Sequence, residues 1–394
     1  MPTRAVYNVT VRWTRGKIKD STTFDDSGGS YDDISADVDQ ISIRRGRSDP
    51  YSAISAGTCT IRLRDPDGKY VAGHGASDLV ASASDGLGTL LPYRTVRVRA
   101  TLSGVDYDRF YGFITRITAN PDDQTATIEA SDGLFLLSQP DGTAQSYSGT
   151  VRAVIEALLA GDSYAVNAVA GNGNTLPAAV SFPAYTDRLT TINGILDSDL
   201  GLLYFQGDGK GIYRDRHWRN RSPQNAAQST LTDVVLRLVS GVDGRGIVNM
   251  ATVTGTTGGA QTVTDVTSRA AYGGGTVSLT TTYLETATES LDTATWIVAT
   301  RKDPAPSAYA ADLNGDLSSA TLTAILARDL CDRVNITATR QDASDYFILG
   351  ISETIDASRR HTAQWTLERY RAQNCGFVIG YSTFGGAALG YAIT

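Results

Sequence analysis

Residues 109–117 read Arg-Phe-Tyr-Gly-Phe-Ile-Thr-Arg-Ile. The run is apolar on both faces and far too short to span a bilayer, so it predicts a strand at the centre of a sheet. The surrounding chain alternates with period two, the pattern of strands with one buried face. Ala5, Tyr7, Val9, Val11 and Trp13 share one face of a strand, with Asn8, Thr10 and Arg12 on the other. Cys59, Ile61 and Leu63 alternate with Thr60, Arg62 and Arg64; Val96, Val98, Ala100 and Leu102 alternate with Arg97, Arg99 and Thr101; and Ala126, Ile128 and Ala130 repeat the pattern. Turn clusters separate the runs, among them Asp65-Pro66-Asp67-Gly68 and Asn120-Pro121-Asp122-Asp123. Residues 1–140 therefore predict an antiparallel sheet closed into a barrel or sandwich.

After Asp141-Gly142 the period changes. Val151, Val154, Ile155, Leu158 and Leu159 follow helical spacing, with Ser148 or Thr150 placed to cap and Gly161 to stop the helix. A second helix is predicted from Leu189 to Leu200, with Asp187 near its cap and Gly201 after it. LLYFQGDGKGIYRDR then predicts a hairpin turning on Gly207 to Gly211. Residues 141–222 thus form an α+β module. Residues 223–300 return to strands, short and rich in Thr and Val, and 301–394 form a second β-domain with one helix between Leu317 and Arg333. Trp13, Trp296 and Trp365 fit core-like alternation, whereas Trp218, within RDRHWRNR, is expected at the surface. The end of the chain, CGFVIGYSTFGGAALGYAIT, carries no charge and is expected to pack on its own domain or on a partner. The predicted class is mainly β with a smaller α+β module, in several domains.

Composition limits the function. Forty-one per cent apolar and 20% charged residues describe a folded chain. The N-terminus alternates instead of forming an apolar block, so neither signal peptide nor membrane segment is expected. A net charge of −7 argues against nucleic-acid binding, which needs clustered cations. Five Lys stand against thirty Arg, a bias expected of a GC-rich coding genome. Cys59, Cys331 and Cys375 lack metal or redox spacing and read as small buried apolar residues without a structural disulfide. No phosphate-binding loop, dinucleotide fingerprint, nucleophile elbow or metal-binding His pair occurs, so neither enzyme activity nor a cofactor is expected. Asp312, Asn314 and Asp316 imitate the start of a calcium loop. The glycine falls at 315 and Thr323 stands where the closing Glu belongs, so an Asx-type turn before a helix is the better reading.

The order of segments also resembles a family. The run from Ser52 to Tyr70 is followed by LLPYRTVRVRATL, DRFYGFITRI and TATIEASDGLFLL, in which Pro92, Tyr93, Arg94, Val96, Val98, Tyr111, Gly112, Phe113 and Ile114 carry the likeness. It is similar to the N-terminal domain of phage minor tail proteins of the baseplate-hub or tail-associated type. The hairpin with Gly207-Asp208-Gly209 and Tyr213 to Arg216 resembles the second domain of such hubs, and Tyr381 to Gly385 and Leu389-Gly390-Tyr391 resemble their ends. The resemblance implies a non-enzymatic structural protein of the virion, at the tail tip or baseplate, made in the bacterial host cytoplasm. It implies a homotrimer whose tube-like β-domains form a pseudo-sixfold ring, matching the hexameric tail tube above and a threefold tip below. Expected partners are the tail tube or distal tail protein, the tape measure protein, and tip or fibre proteins. DNA would pass through without specific binding.

Two charged groups are candidate sites. Asp25, Asp26, Asp32, Asp33, Asp37 and Asp39 form either a solvated loop or an electronegative lumen or interface, since cationic walls would trap passing phosphates. Arg214, Arg216, Arg219 and Arg221 form either a solvated face or an interface cluster for acidic loops of a neighbouring subunit. The alternative functions are a receptor- or glycan-binding minor tail protein using Trp218 as its aromatic platform, and a wall-degrading enzyme.

Overall fold

The computed structural model describes residues 4–13, 31–48, 54–74, 79, 90–140, 143–161, 173–232, 235–241, 244–304, 307–338 and 341–370. Among the described residues the fold is mainly β, with 44% strand against 21% helix. Its first strands are β1 (Val6–Arg12), β2 (Asp32–Asp33), β3 (Val38–Gly46), β4 (Ser55–Arg64), β5 (Thr95–Leu102), β6 (Val105–Asn120) and β7 (Thr125–Ser131). The RFYGFITRI run lies in β6, hydrogen-bonded on both sides, with Phe113 paired to Thr95 of β5 and to Ser131 of β7. The alternating residues of β1, β3, β4, β5 and β7 converge on one core with Trp13, Tyr70 and Phe110.

Next come α1 (Gly133–Leu137), β8 (Gln145–Tyr147), α2 (Val151–Gly161), β9 (Val180–Phe182), α3 (Arg188–Asp199), β10 (Leu202–Phe205) and β11 (Gly211–Arg214). Thr150 Oγ1 accepts from the Ala153 amide and so caps α2. Asp187 caps α3 through the Leu189 and Thr190 amides. At its other end Leu200, at φ 54°, takes the left-handed position, one residue before the Gly201 expected to end the helix. Residues β10 and β11 contribute join α1, α2 and α3 in a second core. The hairpin turn presses on β6: a Cβ on Gly207 would lie 2.2 Å from the Asp108 carbonyl oxygen. Only glycine permits that approach.

The later elements are β12 (Ser229–Thr232), β13 (Val235–Gly241), β14 (Met250–Thr254), β15 (Ala260–Thr264), α4 (Val266–Tyr272), β16 (Thr276–Thr280), α5 (Ala287–Arg301), β17 (Ser307–Asn314), α6 (Ser319–Ala327), β18 (Arg333–Ala338), β19 (Gln341–Ile355) and β20 (His361–Arg369). Strands alone were expected between Leu231 and residue 300, yet α4 and the 15-residue α5 lie there. Helix α5 covers β14 and β15, and its buried stripe is Ser290, Thr293, Ala294, Ile297 and Val298. Helix α6 is shorter than expected, because Ser318 caps its start and the chain turns at Asp329 to Asp332. Cys331 adopts φ 68° in that turn.

The large sheet runs in the order β13-β17-β20-β19-β3-β4-β7-β6-β5-β1-β2, with β12 and β18 branching from β19. The pairing of β3 with β19 joins residues 41–46 to residues 350–355. Helix α6 lies between two cores: Leu322 and Leu326 enter that of the N-terminal strands, and Ile325 that of β17 to β20.

Candidate functional site

The acidic group divides. Asp25 and Asp26 lie outside the described residues. Asp32 and Asp33 are exposed on β2, where Asp33 Oδ1 accepts from the Ser35 amide at 2.8 Å. Asp37 is tied to its own fold, accepting from Lys69 Nζ at 3.0 Å and from Tyr70 Oη at 2.7 Å. Burial and the Asp37 carboxylate push the Tyr70 phenol up. Asp39 lies 4.0 Å from Arg62, both partly exposed. An ion pair so solvated contributes about 0–1 kcal/mol.

The four arginines all meet partners within the chain. Arg214 is buried, donates to Tyr204 Oη at 3.2 Å and lies 5.6 Å from the Trp218 ring. Arg216 donates to Asn174 Oδ1 at 2.7 Å. Arg219 stacks 4.6 Å from the Trp218 ring and donates to Glu368 at 2.6 Å. Arg221 pairs with Asp215 at 2.9 Å. Trp218, expected at the surface, is fully buried, edge-on to Phe347 at 4.8 Å. The charges around it misled: the Arg214 and Arg219 guanidinium groups pack over the indole, one turned to the buried Tyr204 hydroxyl and the other to Glu368. His217, next to it, is exposed by surface area, yet desolvation by its neighbours and the Arg216 and Arg221 charges lower its imidazole to about 4.

The calcium-like run is an Asx turn, with Asn314 Oδ1 accepting from the Asp316 amide at 2.9 Å. Among the described residues no group of three or more His, Cys, Asp and Glu could hold a metal ion. Cys59 and Cys331 are buried free thiols; Cys375 lies outside the described residues.

One charged assembly escaped sequence reading. Arg109 of β6 and Glu353 of β19 are both buried and face each other as a fork, Nε donating at 3.2 Å and Nη2 more closely. Arg109 Nη1 also donates at 2.6 Å to the carbonyl of Leu326, satisfying the end of α6. His361 Nε2 lies 3.7 Å from Glu353, and its Nδ1 meets Tyr7 Oη at 2.8 Å. The group therefore ties β1, β6, β19, β20 and α6 together at the seam between the two large cores. The Arg109 charge holds the Glu353 carboxyl well below the usual range despite its burial. Tyr7 and His361 stand 354 residues apart, so no local spacing announces the contact.

This architecture is the fold of phage tail proteins. It is similar to the tail protein from Neisseria meningitidis MC58, with a TM-score of 0.58 and 14% identity over 92% of this chain and 96% of that one. It is similar also to the 43 kDa tail protein of prophage MuSo2 from Shewanella oneidensis, at 0.54 and 13% over 92% and 98%. No family model matches the sequence, and no curated protein matches it by sequence. No helix among the described residues is long and apolar enough to cross a membrane.

Proposed function

We propose that the chain is a structural, non-catalytic hub subunit at the tip or baseplate of a phage or phage-like tail, joining the hexameric tube to a threefold tip and lining part of the DNA conduit. The observation that carries this reading is the extent of the likeness: two tail proteins are matched over 96% and 98% of their own lengths. The likeness therefore covers a whole tail-protein architecture and not one common sheet. Three copies with two tube-like β-domains each would present six similar units to a hexameric tube. The exposed Asp32 and Asp33 suit a conduit wall or lip, because like charge keeps DNA from adhering. Trp218, the anchor of the receptor-binding alternative, is buried, which leaves that reading without its aromatic platform.

Two measurements test the proposal. Light scattering of the purified chain, whose monomer is 41.9 kDa, is expected to give three times that mass. A monomer at micromolar concentration and above counts against the hub. Immunogold labelling of intact particles is expected at the tail tip; label along fibres, or on no particle, overturns the assignment.

A further inference from the structure

Strands β13 and β17 are neighbours in the large sheet, with Gly241 opposite Ser307. The chain between them, described over residues 244–304, therefore leaves the sheet and returns to it at one place. None of β14, β15 and β16 pairs with the large sheet; they form a sheet of their own in the order β15-β14-β16. The core between that sheet and α5 includes Ala251, Val253, Ala294 and Ile297, and draws every side chain but Leu200 from residues 248–298. The segment is also stitched to itself. The Val248 amide donates to the Arg301 carbonyl at 2.9 Å, joining its first strand to the end of α5. Lys302 Nζ donates at 2.9 Å to Asp265, the cap of α4. The buried Asn249 donates to the Gly273 carbonyl at 2.7 Å and accepts from the Gly275 amide at 3.0 Å. A segment whose ends meet and whose core is its own has the anatomy of an inserted domain.

Its seat on the α+β module is narrow by contrast. Leu200, at the end of α3, packs against the insert core, and Tyr283 packs against the core of α1, α2 and α3. The His217 and Trp296 rings meet edge to face at 5.0 Å. A Cβ on Gly194 would lie 3.1 Å from the Tyr283 ring. Tyr283 and Trp296 remain partly exposed in this seat. The two large cores of the main sheet contain no residue of the insert, so its loss would leave them intact.

We propose that residues 244–304 form a separate cooperative unit, which opens and closes while the large sheet stays folded. The β13–β17 pairing holds both ends of the unit, so the sheet loses no strand when it opens. About sixty residues enclose only a small core, which puts the unit at the low end of the chain's range of local stabilities. It is defined by the chain's own packing, whatever the particle to which the protein belongs.

Thiols supply the test. Cys59 and Cys331 are buried in the two large cores, and Ala251 is fully buried in the insert. In the full-length chain with Cys375→Ser and Ala251→Cys, thiol labelling is followed by peptide mass spectrometry. Position 251 is expected to react at least tenfold faster than Cys59 and Cys331, with a urea dependence at most half as steep, because opening the insert exposes only part of the surface. The substitution touches the insert core, so amide exchange of the unsubstituted chain gives an independent readout. The amides of residues 251–253 are expected to exchange at least tenfold faster than those of 59–63 and 351–355. A smaller difference in that exchange, or an equal urea dependence at the three thiols, overturns the proposal.

Discussion

The buried fork between Arg109 and Glu353 sits where water cannot screen it, so its two halves depend on each other. Glu353→Gln leaves a buried guanidinium without its charge, and is expected to lower unfolding stability by about 3–5 kcal/mol in urea titrations. Arg109→Met with Glu353→Leu removes both charges and is expected to cost less than the sum of the single changes. The pH dependence has a definite sign. The Glu353 carboxyl is depressed in the fold, so its contribution is present above the usual carboxylate range and lost only in strong acid. Asp132 is the opposite case. Burial raises it from 3.8 to about 7 while it caps α1 by accepting from the Leu134 amide at 3.0 Å. The folded chain keeps that proton where the unfolded chain has released it, so stability falls as pH rises through this window. Asp132→Asn retains a cap acceptor and removes the buried charge. It is expected to match the parent near pH 4 and exceed it by about 2–4 kcal/mol near pH 8, at about 1.4 kcal/mol per unit of pKa. A urea midpoint difference that does not change with pH would refute this.

At the scale of elements, the β10–β11 hairpin is held against β6 by contact too close for a side chain at its turn. Gly207→Ala is expected to cost about 1–3 kcal/mol through forced displacement. Gly244→Ala, where an added Cβ meets nothing within 4 Å, is expected to stay within about 0.5 kcal/mol. The hairpin, α2 and α3 were legible because their apolar spacing, caps and glycine turns agree. Helix α5 was not, because three of the five residues in its buried stripe are Ser290, Thr293 and Ala294, which resemble the Thr-rich strands beside them. One local signal was available. Thr286 and Glu289 form a reciprocal capping box at its start. The end of α6 was misplaced for a related reason: Leu330 continues the apolar spacing but is buried from a turn.

For the whole molecule, the strand alternation predicted the composition of the main core, whereas the joining of the N-terminal strands to the C-terminal ones through β3 and β19 depends on pairing across some three hundred residues. The same distance hid the seam of Tyr7, Arg109, Glu353 and His361. The charged candidates were visible as runs of charge, but a run does not reveal which side chains are already engaged. That distinction sets how the hub reading must be probed. Arg219→Glu places a carboxylate beside Glu368 and removes the cation over Trp218. It is expected to destabilise the subunit by about 2–5 kcal/mol, so lost assembly in this variant reports on folding and not on an interface. Asp32 is exposed and Asp39 only loosely paired, so Asp32→Lys with Asp39→Lys is expected to keep stability within about 1 kcal/mol. If the acidic loop lines a conduit or meets a neighbour, this variant yields particles that eject DNA more slowly or fail to assemble, with a subunit that still melts like its parent. Normal particle yield and normal ejection would remove the loop from the hub mechanism and leave its carboxylates as a solvated face.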